Sequence, residues 1–181
     1  MIFKVSDFNN NHVKNKNFFL FYGINQGLKD EIIDKYFKKN FLEETYKYDE
    51  NQILADQENF FNNILSKSFF SNKKLIIIEK TTDKLLTIIN EIIEKDTEDT
   101  KIILKSNILE KKSKIRNFFE KNNKTLCLPF YEDNAQTLNV IAQNFLRKKS
   151  INISQQNINI IIERSKGDRI NLKNELAKIE N

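Results

Sequence analysis

The apolar positions of this 181-residue chain follow two spacings that alternate along its length. Short apolar or alternating runs are typical of strands, and apolar positions three and four residues apart are typical of amphipathic helices. The predicted strands cover residues 18–22, 45–48, 75–78, 101–104 and 125–128. The predicted helices between them carry their apolar stripes over residues 28–37, 53–65, 85–93 and 115–119.

This alternation of strand and helix predicts an α/β fold. Strands separated by helices form a parallel sheet with right-handed crossovers and helices on both faces. The runs 75–78 (LIII) and 101–104 (KIIL) are nearly continuous and apolar, as expected of strands buried on both faces. The prediction is therefore a Rossmann-like, three-layer parallel sheet. Thr82 or Asp83 is expected to cap the helix that carries Leu85.

The pattern changes after Pro129 and becomes purely helical. Apolar residues mark one face of a helix over 134–149, and Ser154 can cap a second helix that reaches about Arg164. Gly167 suits the position just after a helix end, and the last apolar stripe follows it. We therefore predict an α/β domain over residues 1–132 and a small all-helical lid domain over 133–181.

The composition excludes several kinds of site. One cysteine cannot form an internal disulfide or a cysteine-based zinc site, and one histidine leaves no histidine pair for a metal. No stretch approaches 18 apolar residues, so no transmembrane helix is expected, and the N-terminus lacks the apolar region of a signal peptide. The expectation is a cytoplasmic protein that has no membrane association, no cofactor and no metal.

Charge is distributed unevenly along the chain. Residues 1–104 carry 15 basic and 17 acidic side chains, whereas residues 105–181 carry 15 basic and 8 acidic ones, a net of +7. All four arginines belong to this second part: Arg116, Arg147, Arg164 and Arg169. Such an excess permits contact with nucleic acid but does not demonstrate it. The alternative is an uneven scatter of lysine with no functional meaning.

The turn after the first strand has the shape of a phosphate-binding loop but lacks part of its chemistry. Gly23 and Lys29 match the pattern G-x-x-x-x-G-K-[ST]. Leu28 replaces the second glycine, and Asp30 replaces the hydroxyl that ligates Mg²⁺. We interpret residues 23–30 as a degenerate, non-functional phosphate loop. The alternative is an ordinary strand–turn–helix that never bound a nucleotide.

An adjacent pair of aromatic residues precedes the strongest predicted strand. Phe69 and Phe70 lie in the polar, basic segment 66–74 (SKSFFSNKK). Adjacent side chains cannot both lie on one helix stripe, so at least one is expected to point outward, where exposed aromatic pairs often bind partners. The alternative is that both are buried in the core.

Several segments together resemble the delta subunit of bacterial DNA polymerase III, a clamp-loader subunit. Their order and spacing extend across nearly the whole chain. The resembling segments are residues 18–30 (FFLFYGINQGLKD), 68–79 (SFFSNKKLIIIE), 101–107 (KIILKSN), 126–130 (LCLPF) and 167–179 (GDRINLKNELAKI).

The resemblance implies a function without catalysis. Its members are similar to AAA+ ATPases, have lost ATP binding, and bind and open the ring-shaped sliding clamp, the beta subunit. Their adjacent hydrophobic pair inserts into a clamp pocket, which makes Phe69 and Phe70 the expected clamp-binding residues. Asn107 and Arg169 resemble the phosphate-sensing positions of ATP-binding relatives and have no expected catalytic role here. The implied partners are the clamp, the delta-prime and tau/gamma loader subunits, and primed DNA.

The resemblance covers only the N-terminal half of such a subunit. Family members continue into a helical collar domain that joins the loader subunits, and we expect that domain to be absent here and assembly to be impaired. Alternative functions are a nucleotide-dependent α/β enzyme or another clamp-loader relative. The Ser-Arg-Cys signature of delta-prime and tau/gamma is absent, since Cys127 follows Leu126 and stands alone.

Overall fold

The computed structural model describes residues 2–38, 44–65, 74–95 and 100–180. Five strands occur in these ranges, and each contains one of the predicted apolar or alternating runs. The strands are β1 (Phe18–Gly23), β2 (Thr45–Asp49), β3 (Lys74–Glu79), β4 (Thr100–Ser106) and β5 (Thr125–Phe130). Every predicted strand is therefore confirmed.

The helices of the described residues follow the predicted stripes, with two differences. A short N-terminal helix was not predicted, and the predicted helix over 53–65 is two helices. The helices are α1 (Asn10–Asn15), α2 (Gln26–Tyr36), α3 (Glu50–Ala55), α4 (Gln57–Leu65), α5 (Leu86–Glu94), α6 (Lys114–Lys121), α7 (Ala135–Lys148), α8 (Gln155–Arg164) and α9 (Arg169–Glu180).

Asp56 causes the break between α3 and α4. Its backbone N–H donates to the carbonyl of Gln52 and ends α3, and its carboxylate accepts the N–H of Asn59 in the first turn of α4. An aspartate side chain competes in this way with the helix backbone for hydrogen bonds. The apolar stripe of α3 and α4 continues across the break, which is why spacing alone predicts one helix.

All five strands are parallel and occur in the order β2-β3-β4-β1-β5. β1 therefore lies between β4 and β5, and the turns that follow β1, β3 and β4 leave the same, carboxyl edge of the sheet. In open parallel sheets, ligand sites form at this edge, where the strand order changes direction.

Helices and aromatic side chains cover both faces of the sheet. On one face, alternate residues of the strands pack with α3 to α6, and Ile53, Ile89 and Phe119 are fully buried there. On the other face, the rings of Phe8 and Phe37 contact those of both Phe19 and Phe21 at 5.0 to 6.3 Å. The predicted three-layer α/β architecture is confirmed.

The chain divides into two compact units. The first comprises residues 1–24 and 29–130, and the second comprises residues 25–28 and 131–181. The second unit has its own apolar core, formed by buried side chains of α7, α8 and α9: Leu138, Ala142, Leu146, Ile158, Ile161, Leu172 and Leu176. The predicted assignment of 1–132 and 133–181 as two functional domains stays a prediction.

One helix-end prediction for the second unit is confirmed, and the other is displaced by one residue. The Ser154 hydroxyl accepts the N–H of Asn157 at the start of α8. Ser165 caps the end of α8, so Lys166, with a φ of +52°, lies directly after the helix end and Gly167, with a φ of +78°, follows it. Across the described ranges, no helix combines the length and apolar character needed to cross a bilayer.

Candidate functional site

Gly23 ends β1 at the carboxyl edge of the sheet, and its backbone requires glycine. Its φ is +121°, and a Cβ atom at this position would lie 2.1 Å from the carbonyl oxygen of Phe130 on β5. Its N–H donates to the carbonyl oxygen of Asn107, the residue after β4, at 3.0 Å. Three strand ends therefore meet at this glycine, and little space separates their backbones.

Lys29 is fully buried and bound to backbone. Its Nζ donates to the carbonyl oxygen of Gly23 at 2.6 Å and to that of Ser106 at 2.7 Å. In a working phosphate loop this lysine reaches the β- and γ-phosphates. Here it fastens the ends of β1 and β4 to α2. Burial, together with the nearby positive charge of Lys105, lowers the pKa of Lys29 to about 8.

Lys105 joins two carboxylates at the same edge. From the penultimate position of β4, its Nζ lies 2.8 Å from Oδ1 of Asp30 on α2 and 2.8 Å from Oε1 of Glu79 at the end of β3. Burial of Lys105 acts to lower its pKa, but the hydrogen bonds to Asp30 and Glu79 outweigh burial and the pKa is raised. Lys105 is therefore a positively charged partner of both acids at neutral pH.

The formal charges of the four ionisable groups at this edge of the sheet sum to zero. We call the set Lys29, Asp30, Glu79 and Lys105 the charged corner: it contains two ammonium and two carboxylate groups, and both ammonium groups are buried. Asp30 carries the negative charge that the sequence predicts at the hydroxyl position of the loop, and Lys105 neutralises it. A nucleotide with its Mg²⁺ does not fit these residues, since one ammonium is bound to carbonyls and the other already bridges the acids.

The remainder of the loop, Asn25 to Leu28, belongs to the second unit. The Asn25 side-chain amide donates to the carbonyl of Tyr131 at 2.9 Å and to Oδ2 of Asp133 at 3.0 Å, and its Oδ1 accepts the N–H of Leu28. A Cβ atom on Gly27 would lie 3.0 Å from the side chain of Ile170 on α9. Asn25 and the N–H of Leu28 are therefore bound to protein groups, where a phosphate loop would present its N–H groups to phosphate.

Arg169, the predicted sensor-like arginine, starts α9 and is buried. Its Nε and Nη2 donate to the two carboxylate oxygens of Asp133 at 2.8 and 2.5 Å. The second sensor-like residue, Asn107, is exposed at the end of β4, where its carbonyl accepts the N–H of Gly23. The structure thus brings Gly23, Lys29 and Asn107 together in the first unit, while Arg169 forms its ion pair within the second.

Phe69 and Phe70 lie outside the described residues. The described chain resumes at Lys74, the first residue of β3, whose ammonium donates to the carbonyl of Asn63 on α4 at 2.9 Å. The assignment of Phe69 and Phe70 as clamp-binding residues therefore stays a prediction.

Sequence reasoning did not identify Lys105 and Asp133 as site residues. A signal for Lys105 was available, because a lysine at the end of the apolar run of β4 must find an acidic partner once that strand is buried. Asp133 carries no comparable signal, since it follows a strand in a polar stretch and is paired only by tertiary contact. In the ranges that the structure describes, no group of three or more His, Cys, Asp or Glu side chains could hold a metal ion.

Three solved structures share this fold with the chain. The DNA clamp loader delta protein of Bacillus subtilis aligns with a TM-score of 0.58 and 14% identity, over 91% of this chain and 52% of that protein. The RuvB Holliday junction branch migration motor of Thermotoga maritima aligns with a TM-score of 0.58 and 13% identity, over 92% of this chain and 56% of RuvB. AMPPCP-bound DnaA of Aquifex aeolicus aligns with a TM-score of 0.53 and 13% identity, over 92% of this chain and 56% of DnaA.

The structural matches show a shared fold, whereas one of the two sequence comparisons identifies a family. The chain spans about half the length of the Bacillus protein, and a comparison with curated protein sequences finds no match. The sequence profile of the family described as DNA polymerase III, delta subunit, matches residues 19–128, which include all five strands except the first residue of β1 and the last two of β5. On this match over more than half of its length, the chain belongs to the DNA polymerase III delta subunit family.

Proposed function

We propose that this protein is the clamp-binding subunit of a DNA polymerase III clamp loader, which binds the sliding clamp and opens it without hydrolysing ATP itself. Membership of the delta family supports the loader role. The observation that carries the ATP-independent part is the bonding of Lys29, whose ammonium is buried against the carbonyls of Gly23 and Ser106. The protein has no catalytic activity of its own in this proposal and acts as an accessory to the polymerase.

A subunit that hydrolyses no ATP can open a ring only by binding the open form more tightly than the closed one. Phe69 and Phe70 supply the apolar surface for this in the proposal. Burying a phenylalanine side chain contributes about 1.5–3 kcal/mol. Only the part of that free energy that differs between the open and closed clamp shifts the opening equilibrium.

The remaining partners follow from the same family. The delta-prime and tau/gamma subunits complete the loader, and primed DNA carries the negative charge that the net +7 of residues 105–181 favours. The chain spans about half of the Bacillus delta protein. Its assembly with these subunits is therefore proposed from family membership. A replication role also predicts a cytoplasmic location.

The clamp-binding proposal is tested by titrating the protein into a fluorescently labelled sliding clamp. The double variant Phe69→Ala, Phe70→Ala is expected to lose about 1,000-fold in affinity, because two aromatic anchors of about 2 kcal/mol each are removed. Ile108→Ala is the matched control. Ile108 is 71% exposed and follows β4 at the carboxyl edge, whereas residue 74, the last of the segment that contains Phe69 and Phe70, starts β3 at the amino edge.

The control variant is expected to bind the clamp as tightly as the unaltered protein. Equal affinity of the double variant and the unaltered protein would refute the role of the two phenylalanines. Absence of any clamp binding by the unaltered protein would refute the proposed function as a whole.

ATP independence is tested by calorimetry with Mg-ATP. Since the loop lysine is bound to carbonyl oxygens and Lys105 occupies both acids, no binding heat is expected at millimolar nucleotide. A micromolar dissociation constant would contradict the proposal and would favour an ATP-binding AAA+ relative instead.

A further inference from the structure

Asp30 and Glu79 stand where ATP-binding relatives of this fold hold Mg²⁺. Asp30 follows the loop lysine at the hydroxyl position of the phosphate-loop pattern, and Glu79 is the acid that ends β3. In working sites of this class, the hydroxyl after the lysine and an acid at the end of a neighbouring strand share the metal ion. The two positions therefore survive here as a pair of carboxylates.

The cation between these carboxylates is an ammonium group of the chain itself. Lys105 Nζ lies 2.8 Å from one oxygen of each acid, so those two oxygens are within twice that distance of each other. The Lys105 side chain is only 8% exposed, whereas those of Asp30 and Glu79 are 53% and 36% exposed. The acids are thus partly open to solvent, and the cation beneath them is enclosed.

The strands and the anchored start of α2 explain why the Lys105 ammonium has a fixed position. Lys105 projects from a strand whose backbone pairs with both β1 and β3, so its Cα cannot move without disturbing the sheet. Glu79 lies on β3, which pairs with β4, and Asp30 lies one residue after Lys29, which is itself fastened to the ends of β1 and β4. All three partners are therefore positioned by the sheet edge and need no bound ligand to meet.

We propose that the Lys105 ammonium is a built-in replacement for the divalent cation of this fold: it pairs with both Asp30 and Glu79, so that the carboxyl edge of the sheet keeps its geometry without metal or nucleotide. This inference rests on the ATP-independent part of the proposed function. It assigns Lys105 a positioning role, and it makes the two carboxylates a latent cation site that becomes available when the ammonium is removed.

The test is a metal titration of Lys105→Met, which keeps the length of the side chain and removes its charge. Its melting temperature is expected to rise with Mn²⁺ or Mg²⁺, because a cation bound only by the folded state stabilises it. At a metal concentration about a hundred times the dissociation constant, the rise is expected to be about 5–10 °C for a chain of this size. The unaltered protein and Lys105→Arg are expected to show no rise beyond that of a sodium chloride control of equal ionic strength.

The triple variant Lys105→Met, Asp30→Asn, Glu79→Gln is the matched control, since it lacks the carboxylates and should not respond to metal. If Lys105→Met alone is unfolded, refolding on addition of Mn²⁺, followed by circular dichroism, supports the proposal and failure to refold overturns it. Equal metal responses of Lys105→Met and the triple variant, or Mn²⁺ binding by the unaltered protein, would also overturn it. Clamp titration and Mg-ATP calorimetry of the unaltered protein are scored separately, so that a failed metal response can be distinguished from a failure of the proposed function.

Discussion

Arg169 and Asp133 form a two-pronged ion pair in which both side chains are buried. Nε of Arg169 lies 2.8 Å from Oδ2 of Asp133 and Nη2 lies 2.5 Å from Oδ1, and the side chains are 7% and 5% exposed. Asp133 also accepts a hydrogen bond from the Asn25 amide. An arginine that resembles a phosphate sensor in sequence therefore belongs to a buried ion pair of the second unit.

Breaking this pair is expected to destabilise the protein strongly. Arg169→Met leaves the Asp133 carboxylate buried beside one amide donor, and removal of one partner of a buried ion pair costs about 3–5 kcal/mol. The free energy of unfolding, measured by urea denaturation, should fall by that amount. Lys178→Met is the control, because Lys178 pairs with Glu175 at an exposed position and such pairs contribute less than about 1 kcal/mol. Equal losses in the two variants would contradict this role of Arg169.

Two glycines with positive φ are expected to respond differently to alanine. At Gly23 a Cβ atom would meet the Phe130 carbonyl at 2.1 Å, so β1 and β5 must separate to admit it. At Gly167 the φ is +78° and no atom lies within 4 Å, so alanine there carries only the backbone cost of about 1–2 kcal/mol. Thermal unfolding should show a clearly larger loss for Gly23→Ala, or no folded protein at all. A Gly23→Ala variant as stable as Gly167→Ala would contradict the close contact between the strand ends.

Because Lys29 is buried, the free energy of unfolding is expected to increase as the pH rises above about 8. Its pKa is about 8 in the folded protein and near 10.5 in the unfolded chain. Between these values the unfolded chain holds the proton and the folded protein does not, so stability rises as pH increases through this window. Below about pH 8 both states are charged, and the unfavourable burial of the charge is present in full.

Lys29→Met isolates this contribution. Between about pH 7 and pH 10, the unaltered protein should gain about 2 kcal/mol in the free energy of unfolding relative to the variant. Lys105 does not obscure the result, because its pKa is raised and its stabilising contribution is lost only at higher pH, in both proteins. Parallel pH profiles of the two proteins would show that Lys29 has an ordinary pKa.

Cys127 is expected to report on unfolding. It lies in the middle of β5 with no exposed surface, and burial, followed by the charge of Glu120, raises the pKa of its thiol to about 12 from the ordinary 9.0. At about pH 8 this shift alone reduces the thiolate fraction about 1,000-fold. A disulfide reagent should therefore label the folded protein at least that much more slowly than the urea-unfolded chain, and comparably fast labelling of the two states would contradict the burial of β5.

The order of strands and helices could be predicted because it depends on local spacing. The apolar runs 75–78 and 101–104 can be buried only between two layers, and all five predicted strands are present in the sheet. Hydrogen bonds that cross the fold could not be predicted in this way. Thr82 caps the 3₁₀ turn Asp83–Leu85, which leads into α5, whereas α5 itself starts at Leu86 with no side-chain cap. The Asp83 carboxylate accepts N–H groups of Lys114 and Ile115 at the start of α6.

For the candidate site too, the sequence shows the residue types but not their tertiary contacts. The residue types alone show that residues 23–30 depart from a working phosphate loop, because Leu28 and Asp30 lack the required chemistry. They do not show which groups these residues pair with, since Lys105 is 75 residues from Asp30 in sequence and Asp133 is 36 residues from Arg169.

By itself, the sequence determined the fold class, the family resemblance and the departure of residues 23–30 from the phosphate-loop pattern, because each depends on residue types and short spacings. Only the tertiary structure decided which partners the groups of the charged corner meet. A buried charge must find a partner, and the parallel order β3-β4-β1 brings the ends of those strands to one edge. There Lys29 meets two carbonyl oxygens, and Lys105 meets the carboxylates of Asp30 and Glu79.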